Sequence, residues 1–87
     1  MEATIKWLKI WFSQRSERTE LPKGIETKNY FEVGLIDSFG IIELIEAIES
    51  EFNINFKEDN FQDRRFSTIQ GLAKIIEELK LTQGGEK

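Results

Sequence analysis

The chain contains no cysteine and no histidine among its 87 residues. Without cysteine it can form no disulfide and offers no thiolate nucleophile, and without histidine it lacks the usual general base near neutral pH. The same two absences remove the preferred ligands of zinc. The carboxylates could hold a hard cation, but no stretch has the residue spacing of an EF-hand loop. We therefore expect no dedicated metal site, and much of enzyme chemistry is excluded.

Proline, positive charge and long hydrophobic runs are also scarce. One Pro and 6 Gly in a chain that is 39% hydrophobic and 32% charged argue against a disordered or fibrous protein. The net charge of −4 would repel nucleic acids and anionic lipid. Lys6 and Lys9 interrupt the apolar N-terminal residues before these could form the core of a signal peptide. No apolar run is long enough to span a bilayer. The composition predicts a cytoplasmic protein that binds no nucleic acid, enters no membrane and meets basic protein partners.

The first part of the chain predicts one helix and a long loop. Apolar residues at helical spacing predict a helix from Ala3 to about Ser13, with Trp7 and Ile10 at the edge of its apolar face. The spacing then stops until Asp37, although the loop keeps five apolar residues that we expect to anchor it. These anchors are Leu21, Ile25, Tyr30, Phe31 and Val33.

A second helix is predicted from near Ser38 to about Phe52. At 100° per residue its apolar residues are expected to share one arc that faces the core. These residues are Ile41, Ile42, Leu44, Ile45, Ile48 and Phe52. Phe39 falls outside this arc, on the side of Glu43 and Glu46, so a large aromatic residue is expected on an acidic, solvent-facing surface.

The remaining sequence predicts one short and one long helix. A short segment around Phe61–Arg65, capped by Asp59 or Asn60, is expected to be anchored by Phe61 and Phe66. The last helix is predicted to follow a Ser67–Gln70 capping box and to end at Gly84-Gly85. Its apolar residues are expected to form one narrow stripe, which consists of Ile69, Leu72, Ile75, Ile76 and Leu79. The expected fold is therefore all-α, a small four-helix bundle with three main helices, one short helix and a long first loop. Residues 1–82 are expected to form the domain and residues 83–87 a flexible tail.

Ser38 stands at the start of the second helix, where a serine is most often an N-cap. The residue three positions later is Ile41, which cannot complete a capping box. Asp37 is itself a good cap and stands directly before Ser38. Ser38 is therefore not needed for capping, and its hydroxyl is a candidate for another use.

The residues around Ser38 resemble those of acyl carrier proteins. Asp37-Ser38-Phe39 is similar to the Asp-Ser-Leu motif of that family. The similarity continues along the second helix and into the last one, through Glu43-Leu44, Ala47-Ile48-Glu49, Glu51-Phe52, Ile54, Phe56 and Phe66-Ser67-Thr68-Ile69. It covers the chain from about Phe31 to the last helix, and the first helix matches only in pattern.

The resemblance implies that a phosphopantetheinyl transferase attaches 4′-phosphopantetheine, taken from coenzyme A, to the Ser38 hydroxyl. The arm's thiol would hold acyl intermediates as thioesters and present them to enzymes of fatty acid, polyketide or related biosynthesis. A chain with no thiol or imidazole of its own can still present a prosthetic thiol. The expected protein is then a monomeric phosphoprotein that serves enzymes and is not one itself.

The resemblance also implies roles for the residues around Ser38. Asp37 would be recognised by the transferase, and an acyl- or aminoacyl-loading ligase and other enzymes would dock through basic patches. Their candidate contacts are Phe39, Glu43, Glu46, Glu49 and Glu51, although a run of charges is often only a solvated face. An acyl pocket would lie between the second and third helices. Its candidate lining residues, which are equally well read as core, are Ile42, Ile45, Ile54, Phe61 and Ile69.

The cargo stays open at the level of sequence. Leu35-Ile36-Asp37-Ser38 is close to the Leu-Leu-Asp-Ser of D-alanyl carriers, and Gly40 stands where carriers of fatty acid synthesis usually have an acidic residue. An aminoacyl carrier of the D-alanyl or peptidyl type is therefore an alternative. A second alternative is an unmodified helical adaptor that docks through Phe39, Glu43 and Glu46. An enzyme with paired carboxylates ranks last, because these glutamates are expected on an exposed face.

Overall fold

The computed structural model describes residues 2–16, 21 and 23–83, and within them the only regular elements are helices. The α-helices are α1 (Glu2–Ser16), α2 (Ser38–Phe52), α3 (Glu58–Phe61) and α4 (Ile69–Gln83). Two 3₁₀ helices cover Ile25–Thr27 and Arg64–Ser67. The predicted all-α fold, with three main helices and a short one, is confirmed. The predicted end of the last helix at Gly84-Gly85 lies outside the described residues.

The core forms where one face of each long helix meets the others. Leu8 and Phe12 of α1 pack with Leu44 and Ile48 of α2, and all four are fully buried. The predicted apolar stripe of α4 is buried as well, and it consists of Ile69, Leu72, Ile75, Ile76 and Leu79. Each such side chain contributes about 1.5–3 kcal/mol when it leaves water. The helical spacing of apolar residues therefore identified the core correctly for α1 and α4.

The edge of α1 is partly exposed, as its wide apolar face suggested. Ile10 is exposed, whereas Trp7 is half-buried. The Trp7 ring packs edge-on against the Phe52 ring, with 5.3 Å between their centroids. This pair joins the N-terminal half of α1 to the C-terminal end of α2.

Hydrogen bonds fasten the first loop to the start of α4. The backbone N–H of Tyr30 donates to the Ser67 carbonyl at 3.1 Å, and the buried Tyr30 hydroxyl donates to the Phe66 carbonyl. An isolated antiparallel bridge pairs Asn29 with Thr68 beside them. The loop is therefore held by its backbone and by Tyr30 as well as by apolar burial.

Two of the five predicted loop anchors do not face the core. Ile25 and Tyr30 are buried and Leu21 is half-buried, but Phe31 and Val33 are exposed. The chain makes a tight turn after Tyr30, in which the Asn29 side-chain oxygen accepts the N–H groups of residues 31 and 32 at 2.8 and 3.1 Å. Within such a turn, successive side chains point outward. The prediction for Phe31 and Val33 was therefore wrong.

The caps of the later helices also differ from the predicted ones. α3 begins at Glu58, and the Asn60 side chain accepts the Lys57 N–H at 2.7 Å from inside the helix. Asp63, rather than Asp59, caps the next segment by accepting the Arg65 N–H at 2.9 Å. The expected cap at Asp59 or Asn60 preceding a helix over residues 61–65 was therefore wrong.

The cap of α4 lies one residue later than predicted. The Thr68 hydroxyl accepts the Gly71 N–H at 3.0 Å. Ser67 ends the second 3₁₀ helix, and its hydroxyl donates to the Arg64 carbonyl at 3.0 Å. The 3₁₀ turn takes up Ser67, so the Ser67–Gln70 capping box was a wrong prediction.

Candidate functional site

The N-terminus of α2 is capped by Asp37, the residue that directly precedes Ser38. The Asp37 carboxylate accepts the Gly40 N–H at 2.7 Å, and the Asp37 carbonyl accepts the Ile41 N–H at 3.0 Å. Asp37 has an extended backbone, as expected at an N-cap. Ser38 is the first residue of the helix and is exposed. The sequence interpretation that Asp37 relieves Ser38 of capping agrees with this geometry.

The segment that leads into Ser38 is anchored on the core. Leu35 and Ile36 are both buried, and the Leu35 N–H donates to the Tyr30 carbonyl at 3.0 Å. Burial raises the pKa of Tyr30 well above its usual range, so this hydroxyl stays a neutral donor. Ser38 is therefore exposed to partners but held on an ordered scaffold.

The inner side of the first turn of α2 is packed against α1. A Cβ at Gly40 would lie 2.9 Å from the Ile36 side chain and 3.0 Å from the Arg15 guanidinium. Arg15 also pairs with Glu43 and lies over the Trp11 ring, 5.7 Å from its centroid. Because residue 40 is a glycine, the Ile36 and Arg15 side chains can lie close to the backbone of α2 at this position.

A cleft opens beside this turn, on the approach to Ser38. Its volume is about 390 Å³, and it is lined by Arg15, Gly34, Leu35, Ile36 and Asp37. Gly34 adopts a φ of 79°, a conformation that favours glycine and lets the chain turn into the segment before Asp37. Sequence reasoning did not find Arg15 as a neighbour of the site, because only tertiary packing brings α1 to this position.

The outward face of α2 carries two exposed apolar side chains. Phe39 is 68% exposed, as predicted, but Ile42 is 54% exposed although it was expected in the core. The buried face of α2 is centred near Leu44, and Ile42 lies roughly 160° around the helix from it. Ile42 therefore shares the outer face with Phe39, three residues earlier, and its assignment to the core was wrong.

The four predicted docking glutamates have different environments. Glu46 and Glu51 are exposed, whereas Glu43 pairs with Arg15. Glu49 is half-buried, and its carboxylate accepts the Phe56 N–H at 2.9 Å. Among the residues that the structure describes, two of these four glutamates are thus engaged by the chain's own fold, and Glu49 supports the connection between α2 and α3.

The five acyl-pocket candidates also divide by environment. Ile54 and Ile69 are fully buried in the core, and Ile45 is half-buried against it. Ile42 and Phe61 are exposed. The structure therefore distributes these residues between the core and the surface.

The carboxylates with lowered pKa values lie on elements other than α2. The Arg65 guanidinium lowers the pKa of Glu78 and of Asp63 by hydrogen bonding to both carboxylates. A hydrogen bond from Lys9 lowers the pKa of Glu26, and one from Thr4 lowers that of Glu77. In all four cases the charged form gains a donor. These groups are held as structural ion pairs and hydrogen-bond acceptors, away from Ser38.

The geometry around Ser38 suits a covalently attached phosphate. An exposed hydroxyl lies at a helix N-terminus, where unpaired N–H groups and the helix dipole favour negative charge. Within the described residues, no helix is long and apolar enough to cross a membrane. The fold and the site together define a small helical scaffold with an exposed serine at the N-terminus of α2.

Comparison with known proteins identifies the group that such a scaffold holds. The family described as "Phosphopantetheine attachment site" matches residues 16–76, which include Ser38 and most of the fold. The chain belongs to this family of phosphopantetheine-binding carrier proteins, and 4′-phosphopantetheine is its covalently attached group. Proteins of this kind are typically non-catalytic carriers.

Several curated relatives are D-alanyl carrier proteins. The chain is 40% identical over 50 residues to the D-alanyl carrier proteins of Bacillus licheniformis and Bacillus velezensis, matching 58% of this chain and 64% of each relative. The D-alanyl carrier protein of Streptococcus pyogenes serotype M5 is 34% identical over 53 residues, or 61% of this chain and 67% of that one. The match thus spans less than two thirds of the two Bacillus relatives. No solved structure gives a significant match.

Proposed function

We propose that Ser38 is the attachment point of the phosphopantetheine arm and that the chain is an aminoacyl-type carrier. The observation that supports this most directly is that Asp37 caps the start of α2 and leaves Ser38 exposed. The D-alanyl carrier relatives favour an aminoacyl cargo over a fatty acyl one. The thiol at the end of the arm supplies the thioester linkage to the cargo.

Attachment of the arm to Ser38 requires a transferase and coenzyme A. The Ser38 oxygen attacks the coenzyme A pyrophosphate, a new phosphorus–oxygen bond forms, and adenosine bisphosphate leaves as the pyrophosphate bond breaks. We propose that the serine proton passes to a base on the transferase and that Asp37, which accepts the Gly40 N–H, keeps its role as the cap. We also propose that the transferase recognises Asp37. Because the Asp37 charge repels the attached phosphate, recognition explains this residue better than stabilisation of the product does.

Partner enzymes are proposed to dock on the outer face of α2. Phe39 and Ile42 supply exposed apolar area close to Ser38, and Glu46 and Glu51 supply charge. Exposed ion pairs contribute little individually, so this surface favours fast, salt-sensitive encounters with basic patches on a loading ligase and later enzymes. Glu43 and Glu49 are proposed to contribute less, because both are engaged within the fold. A monomer in the cytoplasm fits this exchange among partners.

The proposal is tested by loading the purified chain with coenzyme A and a broad-specificity transferase and then measuring the intact mass. The wild type is expected to gain one phosphopantetheine and Ser38→Ala none. Ser50→Ala, a matched change of an exposed serine on the same helix, should load like the wild type. Loading of Ser38→Ala would place the site elsewhere, and failure of the wild type to load would refute the carrier function.

The same assay separates the two proposed roles of Asp37. Asp37→Asn keeps a side-chain oxygen that can accept the Gly40 N–H but removes the charge. We expect its melting temperature to change little while its loading rate falls at least several-fold. An unchanged loading rate would show that the transferase does not read this carboxylate.

The exposed Phe39 and Ile42 also favour a second candidate, an adaptor that docks without modification. The two functions differ in whether docking depends on the arm. If loaded and Ser38→Ala proteins bound a partner equally well, and the arm carried no cargo in cells, the adaptor function would be supported instead.

A further inference from the structure

Three phenylalanine rings form a cluster on the α3 side of the molecule. The ring centroids of Phe61 and Phe66 are 5.3 Å apart, those of Phe56 and Phe66 are 5.6 Å apart, and those of Phe56 and Phe61 are 5.9 Å apart. All three separations lie in the range of favourable aromatic contact, and two pairs are edge-to-face. We call these residues the aromatic cluster. Each ring in it contacts both of the others.

The aromatic cluster is graded in burial from the core outward. Phe66 is buried, Phe56 is half-buried and Phe61 is 46% exposed. Ile54 and Ile69 belong to the same core, with 1% and 0% of their surface exposed. The region next to the α2–α3 connection, where the resemblance to acyl carriers implies an acyl pocket, is therefore occupied from the buried core up to the surface ring.

The backbone that carries the aromatic cluster is fixed at both ends. The Glu49 carboxylate accepts the Phe56 N–H at 2.9 Å and so ties the cluster to α2. At the other end, the Phe66 N–H donates to the Asp63 carbonyl at 2.9 Å, and the Tyr30 hydroxyl donates to the Phe66 carbonyl. These bonds fix the backbone from which the Phe56 and Phe66 rings project, and the rings fill a packed interior in which cavities are costly.

Three surface clefts in the described part of the chain are lined by residues outside the aromatic cluster. One of about 610 Å³ is lined in part by Lys6, Lys9 and Gln70, and one of about 210 Å³ by residues that include Thr68 and Lys74. The third is the cleft of about 390 Å³ beside Asp37. All three are lined in part by charged side chains, which suit an alkyl chain poorly.

We propose that the aromatic cluster closes this carrier to long acyl chains, so that its cargo is a short acyl or aminoacyl group held in solvent at the end of the arm. This inference rests on the proposed attachment at Ser38. It goes further in assigning the limit on cargo size to Phe56, Phe61 and Phe66. A short cargo needs no shelter, whereas a long alkyl chain gains stability only if it can leave water.

The test loads Ser38 from coenzyme A, acetyl-coenzyme A or octanoyl-coenzyme A, and intact mass verifies each product. Melting temperature and amide exchange at Ile54 and Ile69 are then measured for the wild type, Phe61→Ala and Phe56→Ala. The Phe61→Ala variant is included because its exposed ring can be removed with the least risk to folding. Phe52→Ala is the matched control, since its ring packs on Trp7 at the opposite end of the connection.

In the wild type, we expect the three loaded forms to melt within about 1 °C of one another and to exchange at equal rates. In Phe56→Ala and Phe61→Ala, the octanoyl group is expected to fill the opened space, raise the melting temperature by about 4 °C or more and slow exchange at Ile54 and Ile69. The acetyl group should do neither, and Phe52→Ala should behave like the wild type.

Two outcomes would overturn the inference while leaving the carrier function intact. One is an octanoyl group that stabilises the wild type as much as the variants, because the cluster would then not exclude it. The other is an octanoyl group that stabilises neither variant, because the rings would then not occupy the acyl space. A wild type that gains no mass from any donor would instead refute the proposed function.

Discussion

At the scale of single residues, two helical glycines show how closely the elements approach one another. A Cβ at Gly71 would lie 2.2 Å from the Arg65 carbonyl oxygen and 2.7 Å from the Arg65 Cα. Both are backbone atoms, which cannot turn aside. At Gly40 the obstructing atoms belong to the Ile36 and Arg15 side chains, at 2.9 and 3.0 Å, and side chains can adjust. The two positions should therefore respond differently to the same substitution.

We expect Gly71→Ala to destabilise the fold by about 3 kcal/mol, at the upper end of the usual cost of overpacking, although alanine favours helices more than glycine by about 1 kcal/mol. Gly40→Ala should cost about 1 kcal/mol or less, because its steric cost is partly offset by the same helix propensity. Urea unfolding of both variants measures the difference, with Gln70→Ala as an exposed control next to Gly71. Equal stability of the two glycine variants would show that the second 3₁₀ helix can move away from α4.

The residues that sequence reasoning located best are those whose role depends on local chemistry. Asp37 was expected to cap α2 and does so, since capping needs only a carboxylate next to the first turn. Phe39 was expected on the surface and is 68% exposed. Ile42 was misplaced because a six-residue arc contained a position roughly 160° from Leu44, and only packing shows which part of so wide an arc is buried.

At the scale of elements, the connection from α2 to α3 is held by side chains of α2 and α4. The Glu49 carboxylate accepts the Phe56 N–H at 2.9 Å. The Gln83 amide bonds to both backbone groups of Asn55, accepting its N–H at 2.8 Å and donating to its carbonyl at 2.9 Å. Sequence reasoning missed both contacts, because long side chains on two different helices converge on one loop. Gln83 is also the last residue of α4, although it was predicted to lie in the tail.

We expect Glu49→Ala to destabilise the protein by about 1 kcal/mol, because the part-buried Phe56 N–H loses its acceptor. Glu49→Gln keeps a side-chain oxygen in place and should lose less. Hydrogen exchange at the Phe56 amide reports the contact directly, and it should be faster in Glu49→Ala than in the wild type. Glu46→Ala, a change of an exposed glutamate on the same helix, should leave that amide unaffected. If Glu49→Ala bound partners less well but kept slow exchange at Phe56, the original docking role would be favoured over the structural one.

Element type was more predictable than element boundaries. α2 begins and ends where the spacing of its apolar residues predicted, from Ser38 to Phe52. The starts of α3 and α4 were missed because a 3₁₀ helix at Arg64–Ser67 separates them and moves the cap of α4 to Thr68. That turn is stabilised by tertiary contacts, including the Tyr30 bond to the Phe66 carbonyl, which no local pattern reveals.

At the scale of the whole molecule, the acidic residues of α2 and those of the other elements differ in what they contact. The acidic outer face of α2 is proposed to meet partners, whereas the acids on the opposite elements hold the fold together. The Arg65 guanidinium bonds to Glu78 at 2.7 and 3.0 Å and to Asp63 at 2.8 Å, and so links the second 3₁₀ helix to α4. The sequence contains these charges, but their pairing depends on the approach of the two elements at Gly71.

This network predicts how stability depends on pH. Pairing with Arg65 lowers the pKa of Glu78 from 4.5 and that of Asp63 from 3.8 in the folded protein. In the unfolded chain both carboxylates regain their ordinary pKa values, so the unfolded state binds protons first as the pH falls. The stability that the pairing contributes is thus fully present above about pH 5 and is lost as the pH falls through the lowered values.

Arg65→Gln should be less stable than the wild type at pH 7, and the difference should shrink between pH 5 and pH 3. Arg64→Gln changes an exposed neighbouring arginine and should follow the wild type throughout. Chemical unfolding at a series of pH values measures this, and a difference between the wild type and Arg65→Gln that stayed constant down to pH 3 would show that Arg65 acts through packing and not through its two carboxylates.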